Sequence, residues 1–200
     1  MAATQPGGRP PAPGALALVQ AFVNTHYDLE FDHGAELLAT PAALAAWLHR
    51  SGLIGAGVAA DPGDLERALT VREALRALAA GGAETPRALR ELDTAGRGAA
   101  VEVRFDPTGP RFVAAGSVAA GRLGGHGDPV AGALGVVLAL TAKAIADGTW
   151  SRLKICPGRH CGWAFYDHSR NRSGRWCAMS VCGGRAKARR HYHRRRAPEA

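Results

Sequence analysis

From residue 62 to residue 80, Leu65, Leu69, Leu75 and Leu78 recur at near-helical spacing while Arg67, Arg72 and Arg76 fall between them. That is the pattern of a helix with one buried stripe and one wet face. Its start is marked by Asp61-Pro62, and Thr40-Pro41 and Thr85-Pro86 repeat the device. A side-chain oxygen stands at the N-cap and a proline at the first helical position, where its missing N–H costs nothing. Helices are therefore predicted over 41–50, 62–80 and 86–95. The period then drops to two: Val101, Val103 and Phe105 alternate with charged residues, Asp106-Pro-Thr-Gly109 supplies a turn, and Arg111 to Ala115 returns as the second strand of a hairpin. Asp128-Pro129 caps a last helix of this part, running through Ala146, whose nearly all-round apolar sequence makes it the most buried element expected. Residues 15–24 (ALALVQAFVN) are an apolar run whose period does not decide between strand and helix, and are read as a strand; Trp150 to Ile155 alternates as another. The class is α+β: a mostly helical N-terminal domain with a short β-hairpin, followed by a small module. No repeat or heptad run is present, which excludes solenoids and coiled coils.

A chain of 200 residues has room for one compact domain and a small appendage. Met1 to Gly14 is a Pro/Gly tract without the apolar core of a secretory signal, and is expected to be a disordered lead-in. The longest apolar stretch, Val130 to Ala142, is closed by Lys143, short of the roughly 20 residues a membrane helix needs. A cytoplasmic location is expected. The net charge of +8 is unevenly held: the first 150 residues carry 12 basic and 15 acidic side chains, the last fifty 13 basic against Asp167 and Glu199 alone. All four cysteines lie in that basic quarter, so the chain is divided into a lead-in (1–14), a first domain (15–150) and a C-terminal module (151–200).

The cysteines are spaced Cys156-x4-Cys161-x15-Cys177-x4-Cys182. Two close pairs on either side of a loop can place four thiolates around one tetrahedral cation, the arrangement of a closed structural zinc site. Two disulfides or four unrelated free thiols are the competing readings; a reducing cytoplasm weighs against the first, and an even, paired set confined to 27 consecutive positions against the second. A catalytic zinc needs an open coordination position, and four cysteines leave none. His160 and His168 lie within the module as substitute ligands or surface donors, whereas His191 and His193, two apart on a helix, face different directions. After Cys182, Gly184 to Arg196 has good helix formers and no acidic residue. Arg185, Arg189 and Arg196 share one face with Tyr192; Lys187, Arg190 and Arg194 take the next, and Arg195 adds to the charge. Like charges at i,i+4 destabilise a bare helix by about 0.2–0.5 kcal/mol per pair, so an anion is expected to face it. Nucleic-acid phosphates fit, with Arg170, Arg172 and Arg175 in the inter-cysteine loop extending the footprint. A solvated basic tail is the plainer alternative. Trp163, Phe165 and Tyr166 are read as the module's own small core.

Two other stretches carry little. Gly121 to Gly127 precedes a helix but lacks the Gly-Lys-Ser/Thr ending of a phosphate loop, and Asp28, Glu30, Asp32 and His33 are read as a solvated polar loop. No spacing supports a catalytic triad, a cysteine–histidine pair or a carboxylate pair, so no enzyme is expected.

The C-terminal quarter resembles the CGNR zinc-finger family, whose hallmark is four cysteines, the last opening Cys-Gly-Asn-Arg, followed by a Lys/Arg-rich helix. Here Cys182-Gly183-Gly184-Arg185 departs from it at Gly184, and Ala186 to Tyr192 continues as that family does. The first part resembles the ABATE domain of stress-induced transcription regulators, through Phe22-Val23-Asn24-Thr25 and Glu36 to Leu48. The resemblance implies a zinc-dependent, bacterial-type DNA-binding transcription regulator. Its cofactor would be Zn2+ on Cys156, Cys161, Cys177 and Cys182. Its nucleic-acid contacts would come from Arg170, Arg172, Arg175, Arg185, Lys187, Arg189, Arg190, Tyr192, Arg194 and Arg195. The partners this admits are DNA, with RNA an open alternative, a second copy of the chain, and a small molecule at the N-terminal domain; a membrane is not among them. A ligand-binding protein or enzyme, with its site in 15–150 and the zinc module as a clip, is the alternative from another class.

Overall fold

A computed structural model of the chain describes residues 5–27, 35–107, 109–115 and 127–196. The Gly121–Gly127 loop, apart from Gly127, and the acidic group Asp28 to His33 lie outside the described residues. Helix α1 (Leu16–Val23) is followed by the two-residue strands β1 (His26–Tyr27) and β2 (Ala35–Glu36), which pair antiparallel. Then come α2 (Pro41–Arg50), α3 (Pro62–Ala80), α4 (Thr85–Gly96), the hairpin β3 (Val101–Asp106) and β4 (Gly109–Ala114), and α5 (Pro129–Ala146). The C-terminal quarter holds β5 (Leu153–Ile155), β6 (Ala164–Tyr166) and α6 (Gly184–Arg196). The class is α+β, helices with, among the described residues, three small two-stranded sheets.

The caps act as their chemistry dictates. Thr40 Oγ1 accepts from the Ala43 N–H at 3.1 Å, and Asp61 and Asp64 cap each other's backbone at 2.8 and 2.9 Å. Asp128 accepts from Val130 and Ala131 at the head of α5. Thr85 is the exception: it is already helical, behind Glu84, and caps nothing. Helix α5 is the centre of the core, packed against α1, α3, α4 and β4. The hairpin lies so close to it that a side chain at Gly132 or Gly135 would stand 2.9 Å from Ala114 Cβ and 2.8 Å from Val101 Cγ2.

Four expectations are corrected. Residues 16–23 are a helix, not a strand. Leu16, Val19, Gln20, Phe22 and Val23 are all buried, and a helix covered on most sides shows no polar face from which a period could be read. The strand expected over 150–155 begins as a 3-10 turn at Trp150–Arg152 and becomes extended only at Leu153, where pairing with Tyr166 starts. Two of the three arginines of α3, Arg72 and Arg76, are not on its wet face, while Arg67 stays exposed beside Asp64 and Asp128. Arg72 is 4% exposed, bidentate to Glu36 at 2.7 and 2.8 Å and bonded to Glu73 at 2.8 Å. Arg76 donates to the carbonyls of Val23, His26 and Gly162. Guanidinium groups can be buried where carboxylates and exposed helix-end carbonyls supply all the acceptors they need.

The fourth correction concerns the lead-in. From Gln5 onward it is laid along the C-terminal module. Gln5 accepts from Trp163 Nε1 and from Gln20, both at 3.0 Å. Arg9 donates to the carbonyls of Cys177, Trp176 and Tyr166 at 3.1–3.3 Å, with its guanidinium 4.9 Å above the Phe165 ring. Gly7, at φ 68°, allows the turn and lies so near Ala178 that a Cβ there would stand 2.8 Å from the alanine's own. Proline fixes the backbone without needing hydrogen bonds, so a Pro/Gly composition also suits a strap that binds through a few side chains.

Candidate metal centre and basic helix

Strands β5 and β6 pair as Leu153↔Tyr166, Lys154↔Phe165 and Ile155↔Ala164, and the connection between them carries Cys156 and Cys161. Cys156 N–H donates to the Trp163 carbonyl at 2.9 Å, closing this loop behind the first sulfur. A π-helical turn, Met179–Gly183, carries Cys182 and leads directly into α6, while Cys177 lies just before it. All four cysteines are buried and unbridged, and their sulfurs lie within 4.8 Å of one another. The Cys161–Cys177 and Cys177–Cys182 separations are 3.7 and 3.6 Å. Four sulfurs at about 2.3 Å from a tetrahedral cation stand about 3.8 Å apart, so the donor set fits such an ion. Gly158 lies against it, where a Cβ would be 3.0 Å from Cys182 Sγ. The two histidines of the module stay outside. His160 is exposed, and His168 faces the Pro10 and Pro11 carbonyls at 3.3 and 3.1 Å.

Crowding sorts the thiols. Hydrogen bonds from Cys161 and Cys177 pull the Cys156 thiol far below its usual range. Donating to Cys156 pushes Cys161 up to about 12, Cys177 is raised by its bonds to both, and burial followed by the Cys156 charge raises Cys182. A divalent cation removes that sorting, because it favours the thiolate at every position it touches.

The loop between the cysteine pairs is organised by residues that spacing did not single out. Asp167, completely buried, accepts from Lys154 Nζ at 2.7 Å, the Gly174 N–H at 2.7 Å, and the Ser169 hydroxyl and N–H at 2.6 and 3.0 Å. Lys154 also reaches the carbonyls of Arg172 and Gly174, so one ammonium gathers three acceptors. Asn24 clamps β6 from the other side: its amide donates to the Ala164 carbonyl and accepts from the Ala164 N–H, both at 2.8 Å. Leu153, Ala164 and Tyr166 belong to the main core, whereas Trp163 and Phe165 pack with the cysteines, joined by Tyr27 and Trp176. The signal for Lys154 and Asp167 was faint: Asp167 is one of only two acidic residues in a basic stretch.

Arg170, Arg172 and Arg175 are exposed on the inter-cysteine loop, Arg175 with its guanidinium 5.4 Å from the Trp176 ring. On α6, Lys187 and Tyr192 are exposed, and Arg185 and Arg189 are half-buried. Arg190, Arg194 and Arg195 lie on the same helix, their side chains outside the described residues. Gly184 has ordinary helical angles, φ −62° and ψ −43°, so the backbone there does not require glycine. Its Cβ would meet the Met179 carbonyl at 3.3 Å.

No curated protein matches the chain. Residues 152–195 match the CGNR zinc finger, and residues 14–148 match the ABATE family, described as "Putative stress-induced transcription regulator". The second match spans the helices, the hairpin and Asn24, the first the cysteine cluster and nearly all of α6, and the chain therefore belongs to the ABATE family and carries a CGNR zinc finger at its C-terminal end.

Proposed function

We propose that the chain is a cytoplasmic, zinc-dependent DNA-binding transcription regulator. Zn2+ held by Cys156, Cys161, Cys177 and Cys182 sets the direction in which α6 leaves the module. The observation that carries this is the direct passage from the π-helical turn bearing Cys182 into a helix with no acidic residue. A cation bound there fixes the root of the basic helix, and the exposed arginines of the inter-cysteine loop add positive charge to the same module. Arg185, Lys187, Arg189, Arg190, Arg194 and Arg195 contact phosphates or base edges, Tyr192 supplies stacking or sugar contacts, and Arg170, Arg172 and Arg175 widen the footprint. Metal binding by thiolates is compatible with a reducing compartment, where unbound cysteines stay free.

The test is selection of bound sequences from a random duplex pool by the zinc-loaded protein, beside structured RNA, followed by titration against salt. With about five phosphates neutralised, log K falls against log salt with a slope near −4.5. Equal binding to heparin, or binding indifferent to salt, overturns the assignment; preference for the RNA redirects it. A second reading, a small-molecule ligand in the first domain, is favoured by a cleft of about 450 Å³ between α3 and α4, lined by Glu66, Arg67, Thr70, Arg87, Arg90 and Glu91.

A further inference from the structure

The hairpin β3–β4 presents an apolar face that, among the described residues, is covered only at the base. Val101 and Ala114 meet α5, but Val103 is 52% exposed and Phe105, farther out on the same face, 79%. The opposite face is charged, with Glu102 bonded to Arg104 at 2.8 Å and Asp106 to Arg111 at 2.6 Å. The two edges of the hairpin differ. The Ala115 N–H donates to the Ala100 carbonyl, so Ala100 and Ala115 form a hydrogen-bonded pair, and by alternation Glu102, Arg104 and Asp106 turn their backbone groups toward β4. The N–H and C=O groups of Val101, Val103 and Phe105 point the other way, and among the described residues no third strand meets them. On β4 the outward positions are Pro110, Phe112 and Ala114, and Pro110 has no N–H to offer. One edge is blunted; the other carries neither proline nor lysine.

We propose that the β3 edge pairs with the β3 edge of a second copy of this chain, about a two-fold axis through Val103, to form a four-stranded antiparallel sheet. The sequence Val101-Glu-Val-Arg-Phe105 is complementary to itself in that register. Val103 meets Val103 of the other copy as a hydrogen-bonded pair, and Val101 meets Phe105 as the next one, because these are the residues whose backbone groups point outward. Glu102 then stands directly across from Arg104 on the charged face, twice over. A shift by one residue would place outward-pointing groups against groups already used in the hairpin and turn apolar side chains onto the charged face. The axis is perpendicular to the sheet, so both apolar faces lie on one side. Each Phe105 thereby reaches the foot of the other hairpin, where Val101 packs on α5. The inference is independent of what the zinc finger binds.

Charge exchange tests the register on the full-length, zinc-loaded protein. Light scattering coupled to size exclusion is expected to give wild type twice the 20.8 kDa of one chain. Glu102→Arg sets two guanidinium groups against each other at each symmetric position, and Arg104→Glu sets two carboxylates together. Each alone is expected to weaken the dimer about tenfold or more, from like charges directly opposite at two symmetric positions. Mixing the two variants restores every opposite-charge pair, so a heterodimer should form at wild-type strength, and the double variant E102R/R104E should self-associate again. Both side chains are half-exposed, and matching far-ultraviolet circular dichroism verifies that the variants are folded. A monomeric wild type overturns the proposal, and so do single variants that dimerise as wild type does. Failure of the mixture of folded variants to recover the dimer rejects this register, and so does a double variant that remains monomeric.

Discussion

Asp167 and Lys154 show how a single pair of residues shapes the metal module. Asp167 lies eleven residues beyond Cys156 and ten before Cys177, and its four acceptor contacts fold the loop that brings the cysteine pairs together. Asp167→Asn keeps the size but loses the charge opposite Lys154 and turns a donor toward other donors. Breaking a buried pair from one side costs about 3 kcal/mol, which in a chain of this length lowers Tm by about 6–12 °C; thermal unfolding of the two proteins measures it. The dependence on pH has a definite sign. Burial opposes the charged form of Asp167, but Lys154, Ser169 and Gly174 outweigh it and hold the carboxyl below its usual range. The folded pKa is thus the lower one, so its contribution is complete above about pH 4–5 and fades as pH falls through the folded value. The gap between wild type and Asp167→Asn should be constant near neutrality and narrow only in acid.

Among elements, the strap from Gln5 to Ala12 is the piece whose part in the structure is least like its composition. It bridges the segment around Cys177 and the helix α1, through Arg9 on one side and the Gln5–Gln20–Ala12 bonds on the other. Hydrogen bonds from a charged donor contribute about 1.5–3 kcal/mol, and Arg9 supplies three to carbonyls of the cysteine loop. Arg9→Ala is accordingly expected to leave the helical core intact while speeding amide exchange over residues 176–183 and hastening metal loss to a competing chelator. Unchanged exchange in that stretch would show that the strap merely rests on the module.

At the scale of the whole molecule, core packing crosses the point near residue 150 where the charge changes. Leu153, Ala164 and Tyr166 are core residues of the same cluster as Phe22, Leu75 and Val137, and Asn24, Gln20 and Arg76 reach across residue 150. Metal removal should therefore be felt beyond the zinc finger. A ligand that binds only the folded state stabilises it by about 4 kcal/mol at a thousand times its dissociation constant. Because the core is continuous, chelation is expected to lower the midpoint of one cooperative transition, seen alike by tryptophan fluorescence and helical circular dichroism. Two separated transitions, with the helices unaffected, would mark the zinc finger as an independent unit.

What the sequence by itself determined was whatever depends on neighbours a few positions away. The caps at Thr40, Asp61 and Asp128 were legible because a cap and its amides are within three residues, and the hairpin because its turn and alternation are local. The four-cysteine pattern was legible because two pairs with x4 spacing have few other chemical uses. Only the tertiary structure decided that α1 is a helix, since an element buried on most sides carries no periodic polar face. It alone turned Arg72 and Arg76 of α3 inward, because their acceptors are Glu36, 36 positions away, and Gly162, 86 positions away. It also drew Arg9 to Cys177 and Asn24 to Ala164 across separations of 168 and 140 residues. A polar side chain written in a sequence looks solvated until the fold brings it a partner, and burial then becomes favourable once every donor and acceptor is met.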